Sequence, residues 1–223
     1  MEIITPKSQL KLYGYKKLFS SFIDLYKRNK LPNVMLLSGA KGSGKSTFVY
    51  HFVNYLLSQS EKNKYFIEDF EINLNNSSFK LIQNNIHPNF FLLENNPTEE
   101  NIKIEQIRHL LKFLSKSTYA KDLKIVFIDN AEYLNLNSSN ALLKSLEEPS
   151  INTFFFLIHN DASSIIDTIK SRCIQFKLHF GIFEKKNIFN KIIQSYQLNF
   201  DNNNCEQFFY FETPGNLLRY LVA

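Results

Sequence analysis

The 223-residue chain has no tryptophan and only two cysteines, Cys173 and Cys205. Two thiols cannot build the disulfide framework of a small secreted domain, and they cannot ligate zinc tetrahedrally by themselves. His87 and His109 do not stand at zinc-motif spacing, so no zinc is expected. No run reaches the roughly 18 apolar residues of a membrane span. The opening Met1-Glu-Ile-Ile-Thr5 carries no signal-peptide pattern. These absences together point to a cytoplasmic protein with reduced thiols. Glycine is sparse too, six in the whole chain, yet three of the six fall at Gly39, Gly42 and Gly44.

Hydrophobic residues make up 44% of the chain, and 22 Phe with 11 Tyr supply core bulk in place of tryptophan. The length suits one nucleotide-binding-size domain with a smaller appendage. Formal net charge is +5, with Lys7, Lys11, Lys16, Lys17, Lys27, Arg28 and Lys30 crowding the first thirty residues. Such a cluster attracts nucleic-acid phosphates, and it fits a hydrated helix face equally well.

The glycine cluster lies in Gly39-Ala-Lys-Gly-Ser-Gly-Lys-Ser46, which matches the phosphate-binding loop pattern G-x-x-x-x-G-K-[ST]. Val34–Ser38 before it reads as a buried parallel strand, and Thr47–Leu57 after it as a helix. In that context glycines let backbone N–H groups curl around phosphates while the helix N-terminus faces them. Gly39, Gly42, Ser43, Gly44, Lys45, Ser46 and Thr47 are the candidate nucleotide contacts. Lys45 would reach the β- and γ-phosphates, and the Ser46 hydroxyl would bind Mg²⁺.

Apolar periodicity predicts helices over Leu18–Lys27, Ile104–Ser115, Asn137–Glu147 and Phe183–Tyr196. It predicts buried strands over Lys124–Asp129 and Thr153–Ile158, a loop feeding a strand over His87–Leu93, and a last strand over Arg172–Phe176. Residues 59–86, polar and Asn-rich, read as an inserted loop with short helices. Alternating strands and helices imply an α/β fold: a parallel sheet with helices on both faces.

A phosphate-binding loop needs a carboxylate at the end of a neighbouring strand to hold Mg²⁺, and Asp129 fits that place. A glutamate to orient attacking water is missing beside it, because the next residue is Asn130, an amide that cannot take a proton at neutral pH. Glu132 could substitute only if the turn after the strand is unusual. Nucleotide binding is therefore better supported than turnover. Arg172, in Ser171-Arg-Cys173, could reach the γ-phosphate of a neighbouring subunit, or simply sit in a surface ion pair.

Four segments carry a family resemblance: Lys30–Ser46, Lys124–Leu134, Ser139-Asn-Ala-Leu-Leu-Lys-Ser-Leu-Glu-Glu-Pro149 and Thr168-Ile-Lys-Ser-Arg-Cys173. The chain resembles the AAA+ type clamp-loader ATPases of bacterial DNA polymerase III. That resemblance implies a P-loop domain over residues 1–178 and a small helical lid domain over 179–223. A C-terminal collar domain of the family would follow, and the sequence stops at Ala223 before it. The resemblance also implies a Walker B role for Asp129, a nucleotide-sensing role for Asn160 just past the 153–158 strand, and a trans-acting arginine at Arg172. It implies ATP or ADP with Mg²⁺ as ligand. The implied partners are tau/gamma and delta clamp-loader subunits, the beta sliding clamp through the complex, and primer-template DNA through the assembled ring. The expected role is mainly that of a stator donating Arg172 to a neighbour's ATP, with weak or absent ATPase activity of its own. The alternative is an ATP-hydrolysing tau/gamma-type motor. In Thr213–Arg219, which resembles the sensor-2 region, Gly215 and Asn216 stand where a phosphate-sensing arginine would be expected, and Arg219 lies further along.

Overall fold

A computed structural model describes residues 5–95, 101–116, 123–198 and 207–222. Five parallel strands form one sheet in the order β2-β3-β4-β1-β5. They are β1 (Val34–Gly39), β2 (Phe90–Leu93), β3 (Lys124–Ile128), β4 (Thr153–Asn160) and β5 (Ile174–Lys177). The three inner strands are almost wholly buried, which is why they read as continuous apolar runs.

Their side chains divide by the period of two. Met35, Leu37, Ile125, Phe127, Phe154 and Phe156 enter one core with α1 (Lys16–Lys27), α2 (Lys45–Leu57) and α3 (Ser77–Gln83). Leu36, Val126, Ile128, Phe155 and Leu157 enter the other, with α4 (Ile104–Ser115), α5 (Leu136–Glu147) and α6 (Asp167–Lys170). Helices thus cover both faces, as the sequence pattern implies. Aromatic rings do the filling: fully buried Phe19 meets Phe48, Phe52, Tyr55, Tyr65 and Phe70.

Beyond β5, α7 (Ile182–Ser195), α8 (Phe208–Phe211) and α9 (Pro214–Val222) gather around their own small core of Phe189, Phe209, Leu217 and Leu218. The Asn-rich stretch 59–86 holds one helix, α3. Asn76 caps it by accepting from Phe79 N at 2.7 Å, and the Glu61 carboxylate accepts from Ser77 N at 2.8 Å and Ser78 N at 2.9 Å.

Two strand boundaries differ from the pattern in ways that matter for the site. β4 continues through His159 to Asn160, because Gly39 of β1 pairs with Asn160 in register. β5 begins at Ile174, so Arg172 precedes the strand and lies in the turn after α6. Cys205 and Ala223 fall outside the described residues.

Candidate nucleotide site

The site forms at the C-terminal edge of the sheet, where strand ends in a parallel sheet leave a crevice for ligands. Gly39 ends β1, and a side chain there would collide with the Leu178 carbonyl of the chain leaving β5. Gly42 and Gly44 have φ of 77° and 86°, the left-handed region that favours glycine. Around Gly44 an added Cβ meets nothing within 4 Å, so the cradle is open there. No side chain caps the N-terminus of α2, which leaves its first-turn N–H groups to a ligand.

Lys45 is buried, and its Nζ donates to the Gly39 and Ala40 carbonyls at 2.7 and 2.8 Å. Burial lowers its pKa, and the carboxylates of Asp161, Glu132 and Asp129 oppose that shift. The Ser46 hydroxyl donates to Asp129 Oδ1 and Oδ2 at 3.3 and 3.2 Å. The two oxygen donors assigned to Mg²⁺ from sequence are therefore neighbours in space, and they suit a hard cation.

Burial pushes the Asp129 carboxyl up to about 6; the Ser46 hydrogen bond opposes this, and the Glu94 charge adds to it. The folded value lies above the unfolded one, so ionisation costs stability. That cost is complete above about pH 6 and fades as pH falls toward 3.8. Asp129→Asn is expected to raise stability in EDTA at pH 8 by about 1–2 kcal/mol, since the group is only part-buried. Thermal melts at pH 8 and pH 4.5 check this: the gain shrinks at the lower pH.

Asn130 holds φ 62° and ψ 68°, a left-handed conformation that asparagine tolerates better than most residues. It turns the chain abruptly into the 3₁₀ segment Ala131–Tyr133. That turn brings Glu132 back to the site, where its Oε2 accepts from Asn160 N at 3.3 Å. The unusual turn that Glu132 required is thus present. The Asn160 side chain accepts from Ala162 N at 3.3 Å, at the end of β4 next to the start of the phosphate loop.

A cavity of about 480 Å³ adjoins the loop, a size that suits a small-molecule ligand. Gly42, Ser43, Gly44 and Thr47 form one wall, and the N-terminal segment Thr5–Tyr15 with Phe180, Leu218 and Arg219 forms the others. Tyr15 stacks on Phe180 with ring centroids 4.1 Å apart. The Tyr15 hydroxyl and Ser43 Oγ are buried close together beside the loop. An open glycine cradle and an uncapped helix N-terminus fit a nucleotide.

The helical appendage closes directly over this loop. Thr213 Oγ1 donates to the Lys41 carbonyl at 2.7 Å, and Gly215 N donates to the Gly42 carbonyl at 2.9 Å. A Cβ on Gly215 would sit 2.6 Å from that carbonyl oxygen. The place that would hold a sensing arginine is thus a backbone-to-backbone contact needing glycine. Arg219, one turn further along α9, lines the cavity instead. Nothing in the sequence pattern singles out Tyr15 or Phe180. The only available signal was an isolated glycine, Gly14, where a Cβ would strike the Phe180 ring.

Arg172 does not join this cluster. All strands are parallel, so the loop, Asp129 and Asn160 share the C-terminal edge, whereas Arg172 precedes β5 at the opposite edge. Ile174 pairs with Met35 and the loop begins at Gly39, so about 13 Å of strand separates the two levels.

A sequence model of the family described as "DNA polymerase III, delta subunit" matches residues 14–180. The chain belongs to this family. The delta' subunit of Pseudomonas aeruginosa is 36% identical over 148 residues, covering 66% of this chain and 43% of that protein. The delta' subunit of Escherichia coli is 25% identical over 162 residues, covering 73% and 46%. These relatives support a delta' assignment within the family. A gamma subunit of Buchnera aphidicola is 30% identical over 185 residues, covering 83% and 48%. The chain spans less than half the length of each of these relatives. In three dimensions it is similar to the RuvB Holliday junction branch migration motor of Thermotoga maritima, with TM-score 0.58 and 17% identity over 98% of this chain and 65% of that one. That likeness supports the AAA+ type fold.

Among the described residues no group of three His, Cys, Asp or Glu side chains could hold a metal ion, and no helix is long and apolar enough to cross a membrane. Cys173 is buried, with its thiol pushed up to about 12 by desolvation.

Proposed function

We propose that this chain is a clamp-loader subunit of bacterial DNA polymerase III that acts mainly as a stator. It binds ATP or ADP with Mg²⁺ and donates Arg172 to the ATP site of a neighbouring tau/gamma subunit. The observation that carries this reading is the separation just described. An arginine at the N-terminal edge of the sheet cannot serve a phosphate loop at the C-terminal edge, which supports a role toward another chain's nucleotide. Family membership supports this kind of assembly, in which the partners are tau/gamma and delta subunits, with the beta clamp and primer-template DNA reached through the ring. Residues 1–178 serve as the nucleotide-binding domain and 179–223 as its lid. Lys11, Lys16, Lys17, Lys27, Arg28 and Lys30 are exposed, which supports backbone contact with DNA. The test is DNA- and clamp-stimulated ATP hydrolysis by a complex reconstituted with matched partners, comparing this chain with Arg172→Ala.

Within its own site, the phosphate loop residues Gly39, Gly42, Ser43, Gly44, Lys45, Ser46 and Thr47 hold the phosphates, Ser46 and Asp129 hold Mg²⁺, and Asn160 lies beside the γ-phosphate position. Lys45→Ala is expected to weaken Mg·ATP binding by the isolated chain by about a hundredfold, the loss of a buried charge-assisted partner. Fluorescent-nucleotide titration measures it. A second reading, the ATP-hydrolysing motor, is favoured by one observation: Glu132 supplies a carboxylate to the side of the site where Asn130 fails to. Steady-state turnover by the isolated chain that Lys45→Ala erases would establish the motor instead.

A further inference from the structure

The segment Leu146-Glu-Glu-Pro149 is as distinctive in this sequence as the phosphate loop, and nothing in the nucleotide site uses it. The structure brings it against Ser171-Arg-Cys173. Glu147, the last residue of α5, accepts through Oε1 from Arg172 Nε at 2.8 Å and also from Nη2. On the other side, Arg172 Nη1 donates to the Thr168 carbonyl at 2.7 Å. The guanidinium is therefore gripped along its Nε edge by a carboxylate and at Nη1 by a helix carbonyl. The second N–H of Nη2 has no partner among the described residues, and the Arg172 side chain is 27% exposed. A guanidinium has five N–H donors in a rigid plane. Holding the Nε edge and both Nη1 donors, the second through Ser171 Oγ at 3.5 Å, fixes the plane and leaves one Nη2 N–H for a phosphate oxygen of another chain.

We propose that Glu147 is a positioning residue for Arg172. It sets the guanidinium before the neighbouring nucleotide arrives, so that the rotamer entropy of a long side chain is not lost in the transition state. Its surroundings do not call for an ion pair on structural grounds. The two side chains are 27% and 49% exposed, and exposed pairs add little to stability. The inference rests on the proposal that Arg172 acts on a neighbour's ATP, and the same experiment separates the two.

In a complex reconstituted with matched tau/gamma and delta subunits, ATP hydrolysis and the trapping of ADP with aluminium fluoride are measured for five versions of this chain: wild type, Glu147→Ala, Glu147→Gln, Arg172→Ala and the Glu147→Ala/Arg172→Ala double variant. Glu147→Ala is expected to lower kcat at the site served by about ten- to a hundredfold with KM little changed, and to weaken trapping in parallel. The double variant is expected to be no slower than Arg172→Ala. Glu147→Gln, which keeps an acceptor oxygen for Nε, restores part of the loss. Each isolated chain melts within about 2–4 °C of wild type, and each complex assembles to the same size. A slow Arg172→Ala with a wild-type Glu147→Ala overturns the role of Glu147 alone. An unchanged Arg172→Ala overturns the parent reading. A faster Glu147→Ala means that the carboxylate competes for Arg172, and that also overturns positioning. Loss of rate that adds to the Arg172→Ala loss shows that Glu147 acts elsewhere.

Discussion

Arg172→Ala in the assembled complex is expected to slow ATP hydrolysis at the neighbouring site by about a thousandfold, the low end of what a finger arginine contributes. The effect should fall on kcat and leave KM nearly unchanged, because the guanidinium meets charge that develops only as the phosphoryl group leaves. Arg172→Lys should not rescue it. An ammonium lacks the planar fork that Glu147 and the Thr168 carbonyl hold in place. Removing the side chain breaks one exposed ion pair and leaves the sheet untouched, so the isolated chain should melt close to wild type. Size measurement of each complex distinguishes lost catalysis from lost assembly. An unchanged rate in an assembled complex would remove the trans role and direct attention to Glu132 and the chain's own site.

Acidification below neutrality is expected to destabilise the fold through one histidine. His51 is fully buried in α2, six residues beyond Lys45, with its ring nitrogens bonded to the Tyr65 hydroxyl at 2.9 Å and the Gln9 carbonyl at 3.0 Å. Burial drives its pKa down from 6.5 to about 3, and the Gln9 hydrogen bond only partly opposes this. The folded value is the lower one, so the unfolded chain binds the extra proton. The stability contribution is complete above about pH 6.5 and is lost as pH falls toward 3. Between pH 6.5 and 4.5 the loss from this group alone is about 2 kcal/mol, since the slope approaches 1.36 kcal/mol per pH unit only below pH 6.5. Urea unfolding of wild type and His51→Gln at both pH values isolates it, since other titrating groups cancel in the difference. Equal pH dependence in the two proteins would show that His51 does not carry the effect.

The same histidine ties the core to the helical appendage. Gln9 Oε1 accepts from the Tyr196 hydroxyl at 2.8 Å, just past α7, and Tyr13 donates its hydroxyl to Ser195 at 2.6 Å. The N-terminal segment is thus a strap between α2 and α7, and it also lines the nucleotide cavity. None of this was legible in the sequence. Gln9, Tyr13 and Tyr196 belong to no motif, and the contacts between them span more than 180 positions of chain.

What could be read directly was whatever local chemistry dictates. The glycine spacing of the loop, the apolar runs of β1, β3 and β4, and the acid at the end of β3 each follow from backbone conformation or from burial on both faces of a sheet. Glu132 marks the limit of such reading. Its use depends on a left-handed Asn130, which an adjacent pair of residues permits but does not require. Arg219 marks it again: helical spacing puts the residue on α9, but only the docking of α9 against Gly42 turns it into the cavity.

The sequence by itself therefore determined the α/β alternation, the phosphate loop and the family, because these rest on short-range patterns of glycine, charge and hydrophobic period. Tertiary structure alone decided that α9 seats on the phosphate loop through Gly42 and Gly215, that Glu147 grips Arg172, and that Arg172 lies at the opposite edge of the sheet from that loop. Those outcomes depend on which ends of parallel strands share an edge and on how closely two backbones approach, and neither is encoded within any one stretch of chain.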